Sequence, residues 1–377
     1  MYKFIATAAF GLEATVKREV ARLGLPIVSV SDGRIEFKGD FDVIPQANIW
    51  LRASDRVLLV FGEFEAFSFD ELFEKTKALP WDELIPRDGR FTVVGKSVKS
   101  TLYSVSDCQA IVKKAVVERM KTKYNQEFFP ETGAEYKIQV ALLKDKVTLT
   151  VDTTGVSLHK RGYRPSSIGA PVRETMAAAL IELSYWRKDR VLFDPLCGSG
   201  TIAIEAALMA KNIAPGITRR FASERWPQVP QEVWKKAREE ALSKIDAQTK
   251  PEIHAADIDP EAVRLASQNA ENARVLDCIR FDVRDIHAQS LPAEYGVIIS
   301  NPPYGERVGE KEDARDVIKA LGKLARRNKN WSVYAISPEE QFETLYGARA
   351  DGKRKLFNGL IKIDYYQYFG TKPSKER

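Results

Sequence analysis

The amino-acid sequence predicts two small α+β domains followed by a larger α/β domain with a doubly wound, mostly parallel sheet. Residues 1–65 contain short strands and amphipathic helices in β-α-β-β-α-β order, which suits a small ferredoxin-like sheet. From Pro171 onward, β-branched strands alternate with helices, as in parallel sheets. Near the end, Asn358-Gly359 separates two apolar runs and predicts a hairpin, so the last two strands should be antiparallel.

Composition and charge limit the possible classes. The chain has 377 residues, of which 44% are hydrophobic and 29% charged, as in soluble globular proteins of two or three domains. A formal net charge of +6 is a weak indication of a nucleic-acid partner. Three widely spaced cysteines, Cys108, Cys197 and Cys278, make neither a disulfide framework nor a zinc site, and no metal is expected. Without a membrane-spanning apolar run or a signal peptide, the expected location is the cytoplasm.

The first domain is predicted to comprise residues 1–65. Its strands and helices are expected, in order, at residues 3–7, 12–23, 27–30, 34–37, 41–50 and 57–64. The second domain is predicted at residues 66–160, with elements at residues 69–78, 91–95, 106–123, 136–142 and 146–152. Lys144-Asp145 lies between its last two strands and predicts a two-residue hairpin turn.

The third domain is predicted at residues 161–377. Its parallel strands are expected at residues 191–194, 253–257, 279–283, 297–300 and 331–336, with helices between them. In such a sheet, ligands bind beyond the carboxyl ends of the strands, where the strand order reverses. Residues that directly follow these strands are therefore the first candidates for a site.

Asn301-Pro-Pro-Tyr304 directly follows an apolar strand-like run. The side-chain oxygen of Asn301 can accept a hydrogen bond from an exocyclic NH₂ group. Pro302 and Pro303 lack N–H groups and fix φ, so the Pro302 carbonyl is held rigidly as a second acceptor. The ring of Tyr304 offers a flat face to a purine that is unpaired or flipped out. The four residues predict a cradle for the amino group of a base. The alternative is a rigid Pro-Pro turn with a purely structural role, which is less favoured because a glycine turn occurs upstream, at Gly198-Ser199-Gly200.

That glycine turn is Asp194-Pro-Leu-Cys-Gly-Ser-Gly-Thr201, at the end of the first parallel strand. Gly198 and Gly200 let the backbone approach a ligand, because no Cβ intervenes. The turn has neither the lysine of phosphate-binding loops nor the three-glycine dinucleotide fingerprint. Asp194 could instead hold the ammonium group of a methionine. Combined with the amine cradle, the turn predicts an S-adenosylmethionine-dependent amino-methyltransferase; by itself it could be a plain strand-to-helix turn.

Further cofactor contacts are expected after the second and third strands. Asp257 is placed to bind both ribose hydroxyls, Ile258 to pack on the adenine face, and Asp285 to accept from the adenine amino group. Asp285 could also be an ordinary surface carboxylate. Asp259 followed by Pro260 predicts the N-cap and first position of a helix.

Two basic stretches indicate an RNA-binding surface. Between residues 96 and 123, seven basic side chains face only two acidic ones, and residues 159–164 read His-Lys-Arg-Gly-Tyr-Arg without an acid. A solvated face is the ordinary explanation of such runs. Because they precede a base-modifying site, phosphate contacts are predicted here. The candidate residues are Lys96, Lys99, Lys113, Lys114, Lys160, Arg161 and Arg164.

Across nearly its whole length the chain resembles the THUMP-containing RNA methyltransferases, particularly the bacterial branch similar to the 23S rRNA guanine-N2 methyltransferase. Six stretches carry the resemblance: Gly11-Leu-Glu13, Lys96–Ser104, Leu158–Arg164, Ala170–Ala178, Asp194–Thr201 and Ser300-Asn-Pro-Pro-Tyr-Gly-Glu-Arg307. The larger bacterial relatives are fused to a second methyltransferase that is absent here, which bears on whether the modified rRNA position is the same.

The resemblance implies a ferredoxin-like domain, a THUMP RNA-binding domain and a Rossmann-like class I methyltransferase domain. It implies that Asn301 to Tyr304 handle a guanine amine, and that Thr175, in Arg173-Glu-Thr175, lines the methionine end of the cofactor. It implies that Asp194, Gly198, Gly200, Asp257 and Asp285 surround the cofactor. Cys197, Ser199 and Thr201 of the glycine turn, and Ile258, complete the candidate cofactor residues. The partner is then a structured RNA, rRNA before tRNA. The alternatives are a tRNA guanine-N2 methyltransferase, an adenine-N6 methyltransferase of RNA or DNA, and an inactive RNA-binding protein.

Overall fold

The computed structural model describes residues 1–165, 172–304, 310–359 and 361–371. Two seven-stranded sheets, each flanked by helices, make up these residues. Ala170, Pro171 and Gly305 to Arg307, which belong to stretches that carry the resemblance, lie outside the described residues. No helix in the described part of the chain is long and apolar enough to cross a membrane.

The first sheet and its helices are formed by the N-terminal half of the chain. The elements are β1 (Tyr2–Thr7), α1 (Glu13–Arg22), β2 (Ile27–Ser31), β3 (Arg34–Gly39), α2 (Val43–Trp50), β4 (Val57–Glu65), α3 (Phe69–Lys77), α4 (Trp81–Leu84), β5 (Arg90–Val98), α5 (Val105–Tyr124), β6 (Glu135–Leu143) and β7 (Lys146–Asp152). The predicted β-α-β-β-α-β order of the first block is confirmed, and its strands pair in the order β2-β3-β1-β4.

The two N-terminal blocks share one sheet. Strand β4 pairs antiparallel with β7, and the sheet continues through β6 to the edge strand β5. Sequence patterns did not indicate this pairing, because it joins strands about ninety residues apart. Lys144 and Asp145 form the predicted two-residue turn, and their φ angles of 51° and 64° fit the backbone twist of a tight hairpin.

The second sheet contains the remaining strands. The elements are α6 (Glu174–Glu182), β8 (Val191–Asp194), α7 (Thr201–Ala210), α8 (Gln231–Ser243), β9 (Ile253–Asp257), α9 (Pro260–Asn272), β10 (Ile279–Val283), β11 (Gly296–Ser300), α10 (Glu310–Ala325), β12 (Trp331–Ser337), α11 (Phe342–Tyr346), β13 (Gly352–Asn358) and β14 (Ile361–Tyr368). The strand order is β10-β9-β8-β11-β12-β14-β13. The first five strands in this order are parallel, and β14 and β13 are antiparallel, as predicted.

Local sequence explains why the helix α9 begins where it does. The side chain of Asp259 accepts a hydrogen bond from Glu261 N at 2.9 Å, and Pro260 occupies the first helical position. This cap and proline were predicted, and they satisfy or remove N–H groups that the first turn leaves unpaired.

The two sheets are joined by a large buried contact. The segment after α7 packs on the first sheet, where Trp226 stacks on Tyr136 with ring centres 4.8 Å apart. The Arg52 guanidinium donates to the carbonyl of Ile213 at 2.7 Å. One hydrophobic core extends through both halves. The N-terminal half is thereby held in a defined position against the second sheet.

Candidate active site

The strand order of the second sheet reverses next to β8. From β8 the chain continues to β9 and β10 on one side, whereas β11 and β12 lie on the other side. Asp194 ends β8, and Asn301 directly follows β11, its neighbour. The crevice between two such strands is the usual ligand site of open α/β sheets. The structure therefore brings the predicted glycine turn and the predicted amine cradle to the same crevice.

Asp194 is a buried carboxylate with few partners. Only 1% of its surface is exposed, and Oδ1 accepts hydrogen bonds from Leu196 N at 3.3 Å and from the Ser300 hydroxyl at 3.1 Å. Burial raises its pKa to about 7, despite these two hydrogen bonds, and the nearby Asp257 adds to the increase. A buried acid in this state favours a cationic ligand, which would restore its ionised form.

The two glycines of the turn have different roles. Gly198 has a φ of 50°, and a Cβ built there would meet no heavy atom within 4 Å. Gly200 has a φ of 79°, and a Cβ there would lie 2.9 Å from the Ala266 side chain of α9. Gly198 thus leaves space above the turn, whereas Gly200 allows α9 to pack closely under it.

The other turn residues anchor the loop. Cys197 is buried, and its N–H donates to the Ala256 carbonyl at 2.9 Å. The Ser199 carbonyl accepts from the Asn269 side chain at 3.1 Å, and Thr201 begins α7 as a buried residue. These predicted cofactor residues lie in the turn, but their side chains are mostly packed inside it.

The acidic residues after β9 and β10 lie at the same edge of the sheet. The two oxygens of Asp257 accept from Gly198 N at 2.8 Å and Asp259 N at 3.1 Å, so this side chain connects the glycine turn to β9. Ile258 is 63% exposed, as expected of a side chain that covers a ligand. Asp285 accepts from His287 N at 2.8 Å and has a second oxygen for another donor.

The Asn-Pro-Pro-Tyr stretch contains two buried polar atoms without partners. Among the residues that the structure describes, neither Asn301 Oδ1 nor the Tyr304 hydroxyl has a hydrogen-bond partner. Pro302 is buried and Pro303 is exposed. Burial raises the pKa of Tyr304 to about 12, and the Asn358 side chain lies beside its hydroxyl, outside hydrogen-bond geometry. An unsatisfied buried acceptor costs free energy, which a ligand that donates to it would recover.

The segment before α6 reaches both the glycine turn and the N-terminal half. The Arg164 guanidinium contacts Glu174 at 3.0 Å and the Thr201 hydroxyl at 2.8 Å. The Thr175 hydroxyl donates to Asp55 Oδ1 at 3.1 Å. The expectation that Thr175 lines the methionine end of the cofactor stays a prediction, whereas Arg164 is occupied within the fold. Its predicted role in RNA binding is not supported, because its charge is used to hold this segment.

Arg161 was also predicted to contact RNA, and that prediction is wrong. It is 4% exposed, pairs with Glu205 of α7 at 3.4 Å, and donates to the carbonyls of Arg52 and Leu158. Tyr163 also donates to Glu205, at 3.1 Å. Residues 158–164 therefore form a strap between the two halves of the molecule, in which Leu158, Arg161 and Tyr163 are buried. No sequence pattern indicated this role, because Glu205, the ion-pair partner of Arg161, lies far away in the sequence.

The remaining basic candidates are exposed. Lys96 and Lys99 lie at the edge of the first sheet, Lys113 and Lys114 lie on α5, and Lys160 lies at the start of the strap. Burial of part of its stem and the charge of Arg34 lower the pKa of Lys96. The neighbouring Arg119 and Lys121 are paired with Asp82 and Glu127. The four lysines of the first sheet and α5 remain predictions as phosphate contacts.

Comparison with protein-family models gives three matches in chain order. An RlmL ferredoxin-like domain matches residues 3–58, a THUMP domain matches residues 66–152, and an RMKL-like methyltransferase domain matches residues 161–367. The last match covers more than half of the chain. The chain belongs to the RMKL-like methyltransferase family. Its fold is a class I methyltransferase sheet preceded by ferredoxin-like and THUMP domains, as the sequence predicted.

Curated relatives of this family member carry RNA methyltransferase names. "Putative RNA methyltransferase YpsC" of Bacillus subtilis is 48% identical, over 100% of this chain and 98% of its own length. "Ribosomal RNA large subunit methyltransferase K/L" of Shewanella baltica is 31% identical over 98% of this chain. The chain spans 53% of the length of that K/L relative.

Solved structures resemble the whole chain. A protein of Listeria monocytogenes described as a "predicted N6-adenine-specific DNA methylase" is 50% identical, with a TM-score of 0.94 over 98% of this chain and 96% of its own. The structure of SMU.472 "complexed with SAH" is 40% identical, with a TM-score of 0.93 and 99% coverage of both chains. Together with the methyltransferase family, that complex identifies S-adenosylmethionine as the cofactor.

The residues of the crevice fit this cofactor. Asp194 is an acid that burial leaves short of partners, Gly198 opens onto free space, and Ile258 presents an exposed apolar surface. These groups suit an ammonium, a closely approaching chain and an aromatic base, respectively. No group of three or more histidine, cysteine or acidic side chains in the described ranges is arranged to hold a metal ion.

Proposed function

We propose that this protein is an S-adenosylmethionine-dependent RNA methyltransferase that modifies the exocyclic N2 amine of a guanosine. The observation that carries the proposal is the buried Asn301 Oδ1, which has no partner among the described residues and follows β11, the neighbour of the strand that Asp194 ends. A buried acceptor at this position has no structural use within the described residues. It is suited to an NH₂ group of the substrate.

The residues of the crevice would activate a weak nucleophile. The lone pair of an exocyclic amine is delocalised into the base, so the nitrogen must be pulled out of conjugation before it can attack. Asn301 Oδ1 and the Pro302 carbonyl would accept its two hydrogens and turn the lone pair away from the ring. When bound, the cofactor supplies an electrophilic methyl group. Holding the reacting atoms in line contributes up to roughly 7–11 kcal/mol in favourable cases.

We assign RNA binding and catalysis to different domains of the chain. We assign RNA binding to residues 1–65 and 66–160, and chemistry to residues 161–377. The THUMP match and the RNA methyltransferase names of the relatives support an RNA substrate. Exposed lysines at the edge of the first sheet would contact phosphates, which supply most sequence-independent affinity. The proposed location is the cytoplasm.

Ribosomal RNA of the large subunit is the favoured substrate. Its support is the name of the K/L relatives, which extend over about twice the length of this chain. Transfer RNA is the alternative within the same chemistry. Adenine N6 is the second candidate base, because the Listeria relative is named for it and because the Asn301 cradle suits either amine.

The proposal is tested by nucleoside mass spectrometry of purified 23S rRNA, 16S rRNA and tRNA from a strain that lacks the gene. One N2-methylguanosine should disappear from 23S rRNA and return with the wild-type gene, but not with an Asn301→Ala variant. Loss of N6-methyladenine instead would replace guanine by adenine as the target. Unchanged nucleosides in all three RNA classes would contradict the proposal.

A further inference from the structure

A cavity of about 530 Å³ lies where the N-terminal half meets the second sheet. Its lining comes from the β1–α1 loop and Asp55 in the N-terminal half, and from Arg173, the start of α6 and the end of β13 in the second half. The residues that line the cavity include Phe10, Asp55, Arg173, Thr175, Phe357 and Asn358. Its size falls within the range of small-molecule and cofactor sites.

The cavity adjoins the candidate active site. Asn358 lines it and lies beside the buried hydroxyl of Tyr304, the last residue of the amine cradle. On the same side, Thr175 lines the cavity next to Glu174, which Arg164 connects to the glycine turn. A ligand in the cavity would therefore lie on the substrate side of the crevice.

Close backbone packing defines one rim of the cavity. A Cβ on Gly11 would lie 2.7 Å from the Lys355 carbonyl oxygen, so only glycine permits this approach of the β1–α1 loop to β13. The Arg354 guanidinium donates to the Gly11 carbonyl at 3.4 Å. The N-terminal half thus contributes a fixed wall to a space beside the catalytic domain.

Asp55 is the acceptor of this cavity. Its Oδ1 accepts from the Thr175 hydroxyl at 3.1 Å and lies 3.6 Å from His159 Nδ1. Its Oδ2 receives no hydrogen bond from the described residues, and the closest cation, Arg173, is 4.0 Å away. Burial works to raise the pKa of Asp55, but the nearby His159 imidazole, the hydrogen bond from Thr175 and the charge of Arg173 outweigh it and lower the pKa. At neutral pH the group is a carboxylate that can only accept.

Two further features suit a nucleotide. The Phe10 ring is 54% exposed and meets the Phe357 ring edge to face, with centres 5.7 Å apart. Exposed aromatic rings at a cavity mouth provide a surface on which a base can stack. Arg173 is about half exposed, which leaves its guanidinium available to a phosphate.

We propose that this cavity binds an unpaired guanine of the RNA substrate other than the one that is methylated, with Asp55 reading the Watson–Crick edge and Arg173 holding a phosphate. Guanine presents two adjacent donors there, N1–H and the N2 amine, which match a carboxylate. Adenine, cytosine and uracil do not present two adjacent donors on that edge, so one oxygen of the carboxylate would face an acceptor. Asp55, contributed by the N-terminal half, is thus a specificity-determining residue. This inference rests on the proposed RNA substrate, but not on methyl transfer.

Binding of labelled RNA pentamers tests the inference without catalysis. The probes are UUGUU, UUIUU with inosine, and UUAUU, measured by fluorescence anisotropy with saturating S-adenosylhomocysteine. Wild-type protein should bind the guanine pentamer about tenfold or more tightly than the adenine pentamer. Inosine, which keeps N1–H and lacks the amine, should fall between them. Asp55→Asn, which replaces one acceptor oxygen by a donor, should bring the guanine-to-adenine ratio close to one.

Three further variants test whether the guanine preference comes from Asp55 in the cavity. Arg173→Gln should weaken all three pentamers equally, because phosphates carry no base information. Arg22→Gln removes a comparable ion pair between the two halves, with Glu182 at 2.6 Å, outside the cavity lining, and should leave all affinities unchanged. Asn301→Ala should retain the guanine preference if Asp55, rather than the amine cradle, produces it.

A full guanine preference in Asp55→Asn, with unchanged S-adenosylhomocysteine affinity, would overturn the inference. If that variant unfolds, the wild-type comparison still decides, because equal binding of the three pentamers excludes a guanine-selective cavity. An enzyme that prefers guanine through Asp55 but leaves cellular RNA unmethylated would contradict the proposed function and preserve this inference.

Discussion

Two asparagines with a buried side-chain oxygen, one in each half of the molecule, have opposite surroundings. Asn48, on α2, donates to the Ile44 carbonyl at 3.0 Å and the Thr153 hydroxyl at 2.9 Å, and accepts from the Thr154 hydroxyl at 2.6 Å. Asn301, after β11, has a buried side-chain oxygen without a partner among the described residues. The first asparagine completes a structural network, whereas the second leaves an acceptor for something outside the fold.

Two buried aspartates repeat the contrast. Asp152, at the end of β7, pairs with Arg56 and accepts from the N–H groups of Thr154 and Gly155. Asp194, at the end of β8, has only Leu196 N and the Ser300 hydroxyl, and no cation pairs with it in the described residues. These two groups of the N-terminal half are saturated, whereas Asn301 and Asp194 accept fewer hydrogen bonds from the described residues. Because an unsatisfied buried polar group costs stability, a ligand that donates to these two side chains would recover free energy.

The largest expected effect is that of Asn301→Ala on catalysis. Removing an acceptor that acts on the amine in the transition state should lower kcat by about a hundredfold or more, by analogy with the loss of single oxyanion-hole donors. The melting temperature should stay the same or rise slightly, because the deleted oxygen has no partner to lose. Single-turnover methylation measures the rate, and calorimetric melting measures the melting temperature. A large drop in melting temperature with normal kcat would mean that Asn301, like Asn48, has a structural role and not a catalytic one.

Asn48→Ala is expected to show the reverse pattern. Deletion of the amide removes the acceptor of the Thr154 O–H and one donor to the Thr153 hydroxyl, although both hydroxyls keep a hydrogen bond to the Val57 backbone. The expected cost is about 1–3 kcal/mol of unfolding free energy. Urea denaturation monitored by tryptophan fluorescence measures this loss. The affinity for S-adenosylhomocysteine, measured well below the transition, should match that of the wild type. A weakened cofactor site would mean that Asn48 is more than structural.

The pH dependence of cofactor binding sharpens the comparison of the aspartates. With a pKa of about 7, Asp194 is mostly protonated at pH 6 and cannot hold an ammonium, so S-adenosylhomocysteine should bind about tenfold more weakly per pH unit below 7. In the unliganded protein, the contribution of Asp194 to stability is present near its ordinary pKa of 3.8 and is lost as the pH rises through 7. Titration calorimetry of the wild type and Asp194→Asn between pH 5.5 and 8 provides the measurement. A variant with the same pH profile as the wild type would remove Asp194 from the site.

The smallest effect concerns the exposed lysines of the N-terminal half. Replacing Lys113 and Lys114 together by glutamine should reduce the slope of log affinity against log salt by about two for RNA binding, one for each lost phosphate contact. Cofactor affinity should not change, because these residues lie on α5 of the first sheet. The matched control is Lys235→Gln, on α8 of the second sheet and also exposed. An unchanged salt slope would leave the two lysines as a solvated face.

Much of the fold was predictable, because local patterns specify local structure. The alternation of strands and helices, the Asp259-Pro260 helix start, the Lys144-Asp145 turn and the antiparallel pairing of the last two strands depend on residues close in sequence, and the structure contains all of them. The pairing that joins the two N-terminal blocks into one sheet was not predicted. Strands β4 and β7 have ordinary strand sequences, and neither sequence indicates which strand it pairs with. The strap at Leu158–Arg164 was misinterpreted for the same reason, since Glu205 lies more than forty residues away.

By itself, the sequence determined which residues could do chemistry here. Glycines at 198 and 200, an acid at 194 and Asn-Pro-Pro-Tyr at 301–304 are chemically distinctive at any position in a chain. Only the tertiary structure decided which of them are left without partners and which basic residues are already used. It also brought Asp55 and Phe10 against Arg173 and Asn358, across more than a hundred residues of sequence. The physical reason is that hydrogen-bond saturation and burial depend on every element packed around a side chain, whereas composition and spacing describe only its own segment.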